Sequence, residues 1–203
     1  MKELTLSDFI AKTASAAPVP GGGGVAALVS ACGAALVGML AALSTNEQKF
    51  ANAGEMLQKS QELAQKAQDL LEFAEKDASV FAEYMRVLKL PKTTEAEADD
   101  RKRLLAEAAI NATEVPLTLA QLAFEMMDAA DYVVQNGNPN AVSDGAIGAM
   151  LLKSGVLSAL YNVKINLPSV KDEAKKSYYQ SEVQRLSVQS AAKEAEILQK
   201  VGF

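Results

Sequence analysis

The sequence predicts an all-α protein, a helical bundle with one very long helix, and three observations carry that prediction. No stretch alternates apolar and polar residues with the period of a strand. Every long segment instead spaces its apolar residues three and four apart, and the punctuation between segments is confined to Pro, Gly and Asn clusters. No linker divides the chain, so residues 1–203 are expected to form a single domain. Aromatic residues make up only 5% of the chain and Trp is absent, so the core must be built from Ala, Leu, Val and Met. Such small side chains favour closely packed helices.

A short first helix is expected over residues 6–14, with Ser7 as its N-cap and Phe9, Ile10 and Thr13 on one face. The second follows the four glycines of PVPGGGGVAALVSACGAALVGML, residues 18–40, and its Gly33 and Gly38 suit a helix that neighbours approach closely. Residues 25–43 are long enough to span a bilayer. Their Ala, Gly and Ser content gives weak insertion energy, and no other segment can join them as a second span, so a buried core helix and no membrane partner are expected. The third helix is the clearest. Phe50, Ala53, Leu57, Ser60, Ala64, Ala67, Leu71, Ala74, Ala78, Phe81, Met85 and Leu88 repeat with a period of about 3.5 residues. At 1.5 Å per residue this row runs roughly 58 Å, enough to span a bundle end to end or to reach a second subunit.

Pro91, in KLPKTT, ends that helix. A fourth begins near Glu95, is expected to kink or split at Pro116, and resumes through residues 117–133. QNGNPN, residues 135–140, is a dense turn signal. A further apolar helix follows over residues 141–163 until INLPSV breaks it at Pro168, and an amphipathic helix fills most of residues 171–200.

Composition removes several function classes. A net charge of −5 argues against nucleic-acid or anionic-membrane surfaces, while leaving room for a local basic site that takes an anionic small molecule. The chain has no histidine, which removes the usual zinc sets, Ser-His-Asp and Cys-His arrangements, and histidine acid–base catalysis. Cys32, the single cysteine, sits within the apolar run and is expected to be a buried structural thiol in a reducing compartment. The start, MKELTLSDFIAKTAS, is unlike a secretory signal. A cytoplasmic location follows.

Four places are candidates for chemistry, each with a plain structural alternative. The glycines permit a G-x-G-x-x-A reading, but a dinucleotide loop needs a preceding strand, and no G-K-[ST] follows for a phosphate loop. Gly21, Gly22 and Gly23 at a helix N-terminus either hold a polar ligand edge with free amides or simply let two helices pack. Ser143 and Asp144 follow the NGNPN turn, where Ser143 is a candidate cap for the next helix. Asp144 is the lone carboxylate opening an uncharged helix, so it either caps that helix or acts on a ligand. Lys89 and Lys92 either offset a helix C-terminal dipole or meet a carboxylate. Asp77 lies on a solvated helix face or in a site.

These pieces occur together and in order: PGGGGVAALVSACGAAL, DASVFAEYMRVLKLPKTTEAEADDRKR, EVPLTLA, GNPNAVSDGAIGA and YNVKINL. The chain resembles the formiminotetrahydrofolate cyclodeaminase family, which includes methenyltetrahydrofolate cyclohydrolases, over essentially its whole length. The resemblance implies an all-helical homodimer with a folate cleft near the subunit interface and no metal or redox cofactor. It implies cyclisation of 5-formiminotetrahydrofolate to 5,10-methenyltetrahydrofolate with release of ammonia, or hydrolysis of the methenyl bridge to 10-formyltetrahydrofolate. On that reading Asp144 is the first catalytic carboxylate and Asp77 the second. Gly21, Gly22 and Gly23 admit the flat ring, Asn138 hydrogen-bonds the pterin or amidine, and Lys89 and Lys92 orient the glutamate tail or stabilise developing charge.

Two departures from the family pattern are visible. Gly24 stands where the family commonly has Ser. After the second helix STNEQKF leaves only Lys49 of a usual basic cluster, with Glu47 and Gln48 beside it. If that cluster grips the tail, weaker folate binding or a variant ligand is expected, and a non-catalytic folate-binding helical dimer is the reading from another class.

Overall fold

The structure, a computed structural model, describes residues 3–202. It is all-helical: α1 (Leu6–Thr13), α2 (Gly22–Ala42), α3 (Ala53–Leu88), α4 (Glu95–Asn136), α5 (Val142–Asn166) and α6 (Glu173–Gln199). Short 3-10 turns, Pro139–Ala141 and Leu167–Ser169, precede and follow α5, and there is no strand among the described residues. Helices α2 to α5 form a four-helix core in which α2 lies between α3 and α5. Helix α4 packs on α3 and α5, while α6 lies along α4 and α5.

The spacing of α2 and α5 is set by glycine. The two helices run antiparallel, with Gly22 facing Asn162, Gly33 facing Gly148, and Leu40 facing Gly145. A Cβ at Gly33 would lie 2.8 Å from the Gly148 carbonyl oxygen and 2.9 Å from the Leu152 amide nitrogen, so the two backbones touch there. Farther along, Gly155 leaves room for the buried Ser30 hydroxyl, which donates back to the Ala26 carbonyl at 2.8 Å.

Helix α3 is as long as expected, but its core face is turned one residue from the anticipated row. Met56, Leu63, Ala67, Leu70 and Ala74 are buried, whereas Leu57, Phe81, Met85 and Leu88 are exposed. Ala67 and Ala74 belong to both rows, which is why a repeat of small residues fixed the period and left the phase ambiguous. After passing Gly23 at Asp77, α3 continues for eleven residues, about 16 Å, to Leu88. The start of α4 returns beside it, with the Arg101 guanidinium donating to the Leu88 carbonyl at 2.9 Å. These two helices form an arm that overhangs the ends of α2 and α5.

Several local expectations change. Thr5, not Ser7, caps α1 by accepting from the Asp8 amide at 3.1 Å, and Ile10 points outward while Phe9 is buried. Ser143 caps nothing, because α5 begins without a side-chain cap. Helix α4 passes through Pro116 without a break, started by a capping box in which Thr94 and Glu97 satisfy each other's amides. Cys32 is exposed on the outer side of α2 rather than buried. Length and composition mark two segments as able to cross a membrane, Gly22–Ala42 and Pro139–Ser169, where the sequence reading found only the first. Each packs against the other within the bundle, about half buried.

The Gly33–Gly148 contact makes a stability prediction. Gly148→Ala, whose Cβ would meet Val37 and the Gly33 carbonyl, should lower the unfolding free energy by about 1–3 kcal/mol in urea titrations. Gly54→Ala, whose Cβ meets open space, should leave it unchanged or raise it.

Candidate functional site

A cleft of about 450 Å³ opens where α2 begins, α5 ends and the arm emerges. Its floor is the first turn of α2. Gly21 is the N-cap and supplies no side-chain cap, and the first intrahelical bond runs from the Val25 amide to the Gly21 carbonyl at 3.0 Å. The amides of Gly22, Gly23 and Gly24 therefore have no helical partner, and positive potential gathers at that end. The three site glycines are not equivalent. A Cβ at Gly21 or Gly22 would make ordinary contacts at 3.5 Å, with the Pro18 carbonyl and the Asn162 amide respectively, but one at Gly23 would overlap the carboxylate of Asp77. Of the three, only Gly23 has a Cβ position that the Asp77 carboxylate already occupies. Gly24, where the family that the sequence resembles commonly has Ser, is buried in the same turn.

Asp77 lies in α3 directly over that turn and is half-buried. Burial pushes its carboxyl above the ordinary value. The helix N-terminus acts in the opposite direction. Among the described residues, however, no donor forms a hydrogen bond to the carboxylate, so desolvation prevails. The result is an acid that holds its proton closer to neutral pH than a surface aspartate, beside a set of open amides.

The opposite wall is made by the end of α5 and the middle of α4. Pro116 has no N–H to give the carbonyl of Ala112. Asn166 takes that place, donating through Nδ2 to the Ala112 oxygen at 2.6 Å. Both Ala112 and Asn166 line the cleft, as does Asn162 one turn earlier, whose Nδ2 donates to the Ser158 carbonyl at 3.0 Å. On the arm side the Tyr84 hydroxyl reaches the Ser169 hydroxyl at 3.5 Å.

The structure thus brings together Gly21, Gly22, Gly23 and Asp77, and it places the other anticipated residues elsewhere. Asn138, Asp144 and Lys49 are at the far end of α2 and α5; Asp144 and Asn162 are separated along α5 by eighteen residues, about 27 Å. Asn138 shapes its turn, accepting from the Asn140 amide at 3.0 Å while its own amide donates to Ser44 Oγ at 2.8 Å. With Lys49 and Phe50 it lines a separate depression of about 410 Å³. Lys89 and Lys92 follow the tip of the arm and do not line the cleft. Tyr84, Asn162 and Asn166 escaped the sequence reading. The four-residue spacing of the two asparagines in YNVKINL, on one helical face, was the available signal.

The link between Pro116 and Asn166 is testable as a cycle. Asn166→Ala should cost about 1–3 kcal/mol by leaving a carbonyl unsatisfied. In a Pro116→Ala background the restored amide bonds Ala112 itself, and the same change should then cost much less. Equal costs in both backgrounds, read from denaturant unfolding, would remove the link.

The family model for formiminotransferase-cyclodeaminase matches residues 5–185. The chain is 34% identical over 174 residues to methenyltetrahydrofolate cyclohydrolase of Methylorubrum extorquens, covering 84% of this chain and 82% of that protein. It is 30% identical over 197 residues to formimidoyltransferase-cyclodeaminase of Rattus norvegicus, covering 97% of this chain but 36% of the rat protein. It therefore spans only about a third of the length of that longer relative. The crystal structure of formiminotetrahydrofolate cyclodeaminase from Thermotoga maritima has the same fold, with a TM-score of 0.85 at 24% identity over 98% of this chain and 96% of that one.

Proposed function

The chain belongs to the formiminotransferase-cyclodeaminase family, and we propose that it is a folate one-carbon enzyme that cyclises 5-formiminotetrahydrofolate to 5,10-methenyltetrahydrofolate with release of ammonia. The observation that carries this reading is the pairing of an elevated carboxyl, Asp77, with the open amides of α2 in one cleft. The substrate contains both nucleophile and electrophile, so holding it folded supplies much of the rate. N10 attacks the carbon of the protonated formimino group, a C–N bond forms, and the C=N pair settles on the amino nitrogen. Asp77 takes the N10 proton and returns it to the amino nitrogen, the bond from that nitrogen to carbon breaks, and ammonia departs. A carboxyl raised by burial suits both halves of that transfer. The glycine amides donate to a carbonyl edge of the ring.

The competing reaction, hydrolysis of the methenyl bridge to 10-formyltetrahydrofolate, is favoured by one observation, the 34% identity to a cyclohydrolase matched over most of both chains. A single spectrophotometric assay separates the two. Appearance of methenyl absorbance from 5-formiminotetrahydrofolate supports cyclisation, and its accelerated loss from supplied methenyltetrahydrofolate supports hydrolysis. Ligand binding with neither turnover sinks the enzyme reading.

Asp77→Asn should reduce turnover about 100-fold or more, and Gly23→Ala should do likewise by displacing the carboxylate. As pH falls through the raised pKa of Asp77, activity should decline, and the Asn variant should lack that limb. The stability effect has the opposite sense. With its folded pKa above its unfolded one, Asp77 favours the fold only at low pH and loses that contribution as pH rises through the folded value. Asp77→Asn should therefore be at least as stable as the parent protein at neutral pH.

The active form is a homodimer in this reading. Cys32, Met39 and Leu43 at α2 and Ile147, Met150 and Ile165 on α5 are exposed. A second copy lying antiparallel on these residues would bring its Asp144 and Asn138 end to the cleft of the first, so that each site takes residues from both chains. Mixing Asp77→Asn and Asp144→Asn proteins, each inactive alone, should then restore about a quarter of the parent activity through statistical heterodimers with one intact site. No recovery, or a monomer by light scattering, counts against the shared site.

A further inference from the structure

Beside the cleft lies a second chamber of about 560 Å³, between the arm and the segment that joins α5 to α6. Its walls include Arg101 and Lys102 of α4 and Lys171 just before α6, and no carboxylate lines it among the described residues. In a chain of net charge −5 that is a local reversal of sign. Neither Lys102 nor Lys171 forms an ion pair among the described residues, whereas neighbouring Arg103 is engaged with Glu107 at 3.0 Å and Asp100 at 3.6 Å. Arg101 is fixed in place: its Nη2 donates to the Leu88 carbonyl at 2.9 Å, while its Nε is buried with no partner. A buried guanidinium N–H without an acceptor is costly, and a carboxylate oxygen is the acceptor that suits it best.

The chamber and the cleft are adjacent and share a wall. Tyr84 and Ser169, in hydrogen-bond reach of each other, line both. We propose that this chamber is a subsite for the carboxylates of the ligand's glutamate tail, with the p-aminobenzoyl ring passing Tyr84 and a carboxylate received at Arg101. The assignment rests on the folate reading of the cleft and moves the tail contact away from Lys89, Lys92 and Lys49. It also explains how the chain manages without the basic cluster missing at Glu47 and Gln48. Arg101 anchors the first carboxylate with a directed bond. Lys102 and Lys171, at the mouth, act on further glutamates through charge alone.

Isothermal titration with three probes tests this: a tetrahydropterin without a tail, p-aminobenzoyl-pentaglutamate without a pterin, and tetrahydrofolate. Arg101→Met should weaken the two tailed probes about 10-fold or more and leave the tetrahydropterin unchanged. Because Arg101 also ties α4 to α3, Lys171→Met serves as the second variant. It should weaken the pentaglutamate more than tetrahydrofolate, by a factor that shrinks as salt is raised. Unchanged affinity for the tailed probes in both variants overturns the proposal, as does equal loss for tailed and tail-free probes. Failure of the parent protein to bind the pterin-free probe overturns it too. If the parent binds the pterin-free probe and not the tetrahydropterin, the anion subsite stands and the folate reading of the cleft falls.

Discussion

Everything in the site depends on how closely α2 and α5 approach. At Gly33 and Gly148 the two helices meet backbone to backbone, at a distance that no Cβ on either side would permit. Interiors are close-packed and do not absorb extra atoms cheaply. That one contact therefore fixes the relation of the helices along their length. At one end Leu40 fills the space over Gly145. At the other the first turn of α2 comes to rest beside Asn162 and beneath Asp77. Prying α2 and α5 apart by a methyl group would be felt first at these ends, where the ligand-facing groups sit. Stability and site geometry are set by the same small residues, which explains an Ala- and Gly-rich core with few aromatics.

The overhanging arm is the second requirement. Helix α3 continues past the end of α2 instead of stopping with its neighbours, and this excess length turns an exposed helix terminus into one wall of a cleft. A helix N-terminus in open water attracts anions weakly because solvent screens it. The same terminus under Asp77, Tyr84 and the α4 wall acts in a medium of lower polarity, where fixed dipoles and charges count for more. Burial also raises the carboxyl of Asp77, so one geometric feature yields both the open donors and the elevated acid.

The sequence made the helices legible because their signals are local: a three-four apolar rhythm, four glycines before an apolar run, and NGNPN between two helices. Phase was harder. In α3 the alanines common to both rows carry no information on which side faces inward, and only packing against α2 and α4 decides for Met56, Leu63 and Leu70 over Leu57 and Leu71. The expected break at Pro116 failed for a nonlocal reason, since the replacement donor, Asn166, comes from another helix fifty residues on. Likewise Asp77 and the glycines emerged as neighbours, while Asp144 and Asn138 emerged far from them. Spacing along a chain says which residues share a helix face, but not which ends of a bundle coincide.

The polarity of the two chambers follows from an accounting of helix ends. Breaks and termini release backbone acceptors as well as donors, and two of the acceptors beside the chambers are already engaged. The Ala112 carbonyl freed by Pro116 accepts from Asn166, and the Leu88 carbonyl at the end of α3 accepts from Arg101. The donors are not engaged: the amides of Gly22, Gly23 and Gly24 lack helical partners, and Arg101 Nε lacks any. These donors form a surplus. A ligand that satisfies it must be rich in acceptors along its length, with carbonyl oxygen at one end and carboxylate at the other. Asp77 stands apart from these donors as a proton acceptor, and among the described residues of this chain it is the only carboxylate that lines the cleft. Beside donors that hold acceptors still, it is the group positioned to move a proton.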